Sequence, residues 1–126
     1  MADYVIYKRG DGTELSLRLN AARAVELEER FGGSSITEKI QEIDKLSTAS
    51  EFIAAAVPEG DYKQRRETAL AIYDEMIGEG KDLQGYQDLI FDILIAAGFL
   101  NGKAVKMQRE LQAATQEAAE KRSSRC

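Results

Sequence analysis

The chain has 126 residues with 17 basic and 22 acidic side chains, no histidine and a single cysteine, Cys126. That length suits one domain, and 44% apolar with 31% charged residues is the composition of a folded globular chain. Without histidine or a second cysteine, disulfide frameworks, Cys/His zinc sites and Ser-His or Cys-His catalysis are excluded. A net charge of −5 argues against a module that grips duplex nucleic acid.

The start, Met1-Ala2-Asp3-Tyr4, lacks the basic and apolar segments of a secretory signal. The most apolar stretch, Leu89 to Leu100, contains Asp92 and falls short of the roughly 20 residues that cross a bilayer. A cytoplasmic protein with no membrane partner is expected.

Two strands open the chain. Tyr4-Val5-Ile6-Tyr7 is β-branched and aromatic, Asp11-Gly12 is a turn pair, and Glu14 to Leu19 alternates so that Leu15, Leu17 and Leu19 share a face. The pattern predicts a β-hairpin over 4–19 with one face covered by helices. From Asn20 onward the signals are helical. Ala21, Ala24, Leu27 and Phe31 recur at helical spacing until Gly32-Gly33, and Ser35-Ile36-Thr37-Glu38 has the form of a capping box for a helix through Ile43. Thr48-Ala49-Ser50-Glu51 repeats that form and predicts a short helix ended by Pro58.

Ala69, Ile72, Tyr73, Met76 and Ile77 make the stripe of a fourth helix, stopped at Gly78-Glu79-Gly80. Tyr86, Leu89, Ile90, Ile93 and Leu94, widened by Phe91, Ile95 and Phe99, predict a fifth helix that is apolar around most of its circumference. Such a helix belongs in the middle of a bundle. The fold expected is α+β and predominantly helical: one domain over 1–100, a hairpin packed on about five helices spanning 20–99. Residues 1–100 carry 11 basic and 19 acidic side chains, net −8, whereas 101–126 carry 6 and 3, net +3. Ala104, Met107, Leu111, Ala114 and Ala118 in that basic segment give a thin a/d seam with little to bury. A helical or partly disordered tail that a partner completes is expected.

No constellation of nucleophile, base and oxyanion donors appears, so no enzyme, metal or cofactor is expected. Asp88 and Asp92 read as a solvated stripe, and Gly78 to Asp82 lacks the phosphate-loop spacing. Lys63, Arg65 and Arg66 crowd a helix start, where the macrodipole disfavours cations; they read as solvated charge or, alternatively, as a contact surface. Tyr4 and Tyr7 fall on opposite faces of one strand, leaving one of them exposed near the hairpin edge. The candidate protein-binding residues are therefore Tyr4, Tyr7, Lys63, Arg66, Met107 and Leu111.

The run Leu15 to Ser34 resembles the start of tail assembly chaperones of long-tailed bacteriophages: an alternating strand, a helix with the pair Leu27-Glu28, a glycine stop and a serine-led second helix. Leu94-Ile95-Ala96-Ala97-Gly98-Phe99-Leu100 is similar to the last core helix of that family, with its Gly-Phe end. The resemblance spans roughly residues 4–100. It implies a non-catalytic protein of the host cytoplasm, absent from the finished virion, that coats the helical tape measure protein and self-associates. It further implies contact with the tail tube protein through a frameshifted longer form. The alternative is a small helical adaptor or inhibitor that binds one folded target.

Overall fold

The computed structural model describes residues 3–100. It is a predominantly helical α+β fold: a two-stranded hairpin, β1 (Val5–Lys8) and β2 (Glu14–Leu17), followed by five α-helices. These are α1 (Ala21–Arg30), α2 (Ile36–Lys39), α3 (Leu46–Ala56), α4 (Tyr62–Gly78) and α5 (Leu83–Ala96), with a 3₁₀ turn at Ile40–Glu42. The expected tail over 101–126, including Met107 and Leu111, lies outside the described residues. No helix among the described residues is long and apolar enough to cross a membrane.

The hairpin is antiparallel, with Val5 opposite Leu17 and Tyr7 opposite Leu15. Its buried face therefore combines the aromatic of one strand with the leucines of the other, and Leu17 and Leu19 are buried as their alternation predicts. The Asp11-Gly12 turn is closed by bonds from Thr13 N and Oγ1 to Asp11 Oδ1. Those bonds hold the Asp11 carboxyl below its ordinary range. Two further ties fix the hairpin on the helices. Arg9 and the Gly10 N–H both donate to the Glu75 carboxylate of α4, at 2.9 and 2.8 Å, and Arg18 N–H donates to the Ala56 carbonyl at the end of α3.

Local chemistry sets the helix ends. Asn20 caps α1 by accepting from Arg23 N–H. The helix stops when Gly33 N–H bonds to Glu28 O and Gly32 N–H to Glu29 O, with both glycines at positive φ. This Schellman arrangement needs a residue free of a Cβ clash. At Ser35 only half of the expected capping box forms: Ser35 Oγ accepts from Glu38 N–H. The complete box is at Asp61, whose side chain accepts from Gln64 N–H while Gln64 Oε1 accepts from Asp61 N–H. Gly60 leads into it at φ 101°, and a Cβ there would lie 3.0 Å from Gln64 Oε1.

The helix expected to open at Thr48 begins instead at Leu46, and the Lys45 side chain makes no capping bond to its first turn. Packing of the half-buried Leu46 and the buried Ala49 against the core extends the helix backward past the apparent cap. The run from Ile36 to Ile43 also differs from one continuous helix: α2 makes a single turn and tightens to 3₁₀, and the Ile43 carbonyl accepts from Gln87 Nε2 of α5.

The centre of the bundle is α3, where α5 was expected. Ala49, Ser50, Phe52, Ile53, Ala54, Ala55 and Ala56 are all buried, and the helix packs on α1, α4 and α5. Small side chains let three neighbours approach one short helix closely. In α5, burial is confined to the Tyr86, Leu89, Ile90, Ile93 and Leu94 face, while Phe91 and Ile95 are half-buried and Phe99 is exposed. Tyr86 is completely buried, stacks edge-on against Tyr73 at 5.3 Å, and donates to the Ala69 carbonyl at 2.7 Å. Burial raises its phenol pKa.

Candidate protein-binding surfaces

Two surfaces collect the features that mark contact sites. The first is the outer face of the hairpin. Tyr4 and Ile6 are 43% and 49% exposed, next to an exposed ion pair between Arg18 and Asp3 at 2.8 Å. Tyr7, on the opposite face, is buried against the core, and its hydroxyl has no hydrogen-bond partner among the described residues. Burial, then the nearby Glu75 and Glu79, push that phenol pKa up. Of the two strand tyrosines, only Tyr4 is available to a partner.

The second surface is a groove of about 380 Å³ where the end of α1, the start of α3 and the start of α4 converge. Its walls include Arg30, Phe31, Thr48, Glu51, Tyr62 and Arg66. The helix stop at Gly32-Gly33 leaves Arg30 and Phe31 at the rim, and the Asp61 capping box presents Tyr62 as the first residue of α4. The Arg30 guanidinium carbon lies 3.1 Å from the centre of the Tyr62 ring, a cation–π contact. The Tyr62 hydroxyl donates to Glu51 Oε1, and burial together with that carboxylate raises the phenol pKa.

Behind the groove, Arg65 corrects the reading of solvated charge. It is 5% exposed, donates from Nη2 to Glu26 Oε1 at 3.0 Å and from Nη1 to the Ala54 carbonyl at 3.4 Å. The bond from Arg65 holds the Glu26 carboxyl below its ordinary range. Arg23 stands close by, donating to the Val57 carbonyl at 3.2 Å; burial, then the charge of Arg65, lower its pKa. Lys63 and Arg66 are exposed, and Arg66 approaches Glu51 only to 3.8 Å.

The expected binding residues thus do not form one site. Tyr4 belongs to the hairpin, Lys63 and Arg66 to α4, Tyr7 to the core, and Met107 and Leu111 lie outside the described residues. Sequence reasoning missed Arg30, Phe31, Glu51 and Tyr62, which come together only when three helices pack. Arg30-Phe31 before the double glycine was the one local signal, because a helix end exposes its last residues. Asp88 is half-buried and Asp92 exposed on α5. Among the described residues, no group of three acidic, histidine or cysteine side chains is placed to hold a metal ion.

Compared with protein-family models, curated proteins and solved structures, the chain matches none of them.

Proposed function

We propose that this chain is a non-catalytic tail assembly chaperone that keeps the helical tape measure protein soluble while a phage tail is assembled in the host cytoplasm. One observation carries the reading. The motif residues of the resemblance fall, in order, on consecutive structural junctions: the Leu15 and Leu17 strand, α1 with Leu27-Glu28, the Gly32-Gly33 stop and the Ser35 cap. An acidic helical body with an exposed aromatic and aliphatic hairpin face is physically suited to coating a long client in many copies. In this reading, self-association and a frameshifted form that contacts the tail tube protein complete the assembly, and the protein is absent from the finished virion.

The test is co-expression with the long helical tape measure protein expected to be encoded nearby, followed by light scattering of the soluble fraction. Several copies of this chain per soluble client support the proposal. Removing residues 103–126 is then expected to reduce client binding or oligomer size while the helical circular dichroism is kept; unchanged binding and mass reject the tail as the client surface. A client that stays insoluble while this chain elutes alone rejects the chaperone reading. The groove favours a second reading, a one-to-one adaptor, because a concave site walled by three helices suits one folded target. Equimolar mass with such a target would select it.

A further inference from the structure

We propose that the groove between α1, α3 and α4 docks an acidic segment of a partner protein, its carboxylates held by Arg30 and Arg66 and its apolar side chains laid on Phe31 and Tyr62. The hairpin contributes nothing to the groove walls, so the inference stands independently of the client reading above.

The sign of the charge is the first argument. Residues 1–100 carry a net −8, yet the charged groups lining the groove and the small pocket behind it are Arg23, Arg30, Arg65 and Arg66 against Glu26 and Glu51. This is a net +2 enclave in an acidic body. Depth is the second argument. The Glu51 side chain is only 16% exposed and Tyr62 occupies one of its oxygens, whereas the Arg30 and Arg66 side chains are 37% and 45% exposed. In the groove itself Glu51 lies on the floor and Arg30 and Arg66 at the rim, where an incoming group meets them first, while Glu26, 41% exposed, stands in the pocket behind and is bonded by Arg65.

The third argument is unused hydrogen-bonding capacity. Glu26 is engaged at 3.0 Å by Arg65 and reaches Arg30 only at 3.7 Å, and the Arg66–Glu51 distance is 3.8 Å. Both contacts exceed hydrogen-bond length. An arginine stacked on a ring keeps its N–H edge for a carboxylate, which it binds in a two-pronged fashion. Deeper in, Arg65 Nε and Glu51 Oε2 are each buried with no partner among the described residues, and the Arg65 charge is balanced by Glu26 at 3.0 Å, which leaves the rim arginines as the groups open to a ligand.

The same features choose the occupant. A free phosphate satisfies the arginines but brings no apolar contact to Phe31 or Tyr62. A second copy brings a chain of net −5 whose large acidic body is a poorer fit to a small groove than a short segment. The basic segment 101–126 has the wrong sign. A short acidic segment with interspersed apolar residues meets every demand.

The experiment uses the intact, isotope-labelled protein and an acetylated, amidated peptide of about 15 residues of Glu, Leu and Ala. The Nε–Hε resonances of Arg30 and Arg66 and the Tyr62 ring protons are followed by NMR. Saturable shifts at these groups are expected, weakened about tenfold or more in R30Q/R66Q and unaltered in K81Q, since Lys81 is exposed and outside the groove. The amide spectrum of R30Q/R66Q checks that it is folded. The proposal is overturned if no shifts occur, if the double variant binds equally well, or if a peptide with Gln in place of Glu binds equally well. It is also overturned if inorganic phosphate reproduces the shifts, or if the protein self-associates through the groove in place of peptide binding.

Discussion

Replacing Glu26 with alanine isolates the Arg65 charge inside the protein. Arg65 then keeps one acceptor, the Ala54 carbonyl at 3.4 Å, and loses the one carboxylate paired with it among the described residues. Breaking a fully buried ion pair in this way costs about 3–5 kcal/mol. The Glu26 side chain is 41% exposed, so water reaches its position, and the expected loss is nearer to about 2 kcal/mol. Arg65→Met keeps much of the stem and removes the charge; its cost, chiefly the lost bond to Ala54, is about 1 kcal/mol. The double variant strands no charge and is expected about 1 kcal/mol below wild type, a coupling of about 2 kcal/mol. Urea unfolding near neutral pH measures all four proteins, with an unchanged denaturant slope. Because Arg65 depresses the folded-state pKa of Glu26, the pair's contribution is complete above the ordinary carboxylate range and fades as pH falls through the lower folded value. The gap between wild type and Glu26→Ala must therefore close in acid. An alanine variant as stable as wild type, or an additive double variant, would refute the reasoning.

Two further outcomes follow from the packing. Leu94→Ala empties a side chain that is 1% exposed on α5 and is expected to cost about 2–5 kcal/mol in thermal or urea unfolding; a loss below about 1 kcal/mol would mean that the site collapses freely. Glu75→Gln removes the carboxylate that Arg9 and Gly10 share, at an expected cost of about 1–2 kcal/mol near pH 7. The Arg9 side-chain bond is the chief cause of the lowered Glu75 pKa, so the cost is full above the ordinary carboxylate range and shrinks as pH falls through the depressed value; equal losses at neutral and acid pH would reject it.

Strict alternation and glycine stops made the hairpin, α1 and the ends of α4 and α5 legible in the sequence, because those signals act over a few residues. Apolar stripes were a poorer guide to position. They rank side chains by size, so the alanine-rich α3 reads as peripheral, although its smallness is what admits three neighbours. The true capping box escaped because Asp61 and Gln64 are the less familiar pair, while Thr48 imitates a cap inside a helix that burial extends backward. Arg65 could not be placed from sequence. Its partner Glu26 is 39 residues away, and only packing turns one of three neighbouring cations inward.

The hairpin's anchors impose an order on folding. Its own sequence is complete at Leu19, but the carboxylate that holds its loop is 65 residues beyond Gly10, and the helix against β1 ends only at Ala96. At about 5–20 residues per second of synthesis, the interval is about 4–15 s. Throughout it the face carrying Val5, Tyr7, Leu15 and Leu17 lacks the α5 helix that packs against β1. The hairpin is thus made well before the helix that shelters it, and a transcript truncated before α5 would yield polypeptides with an adhesive hairpin face.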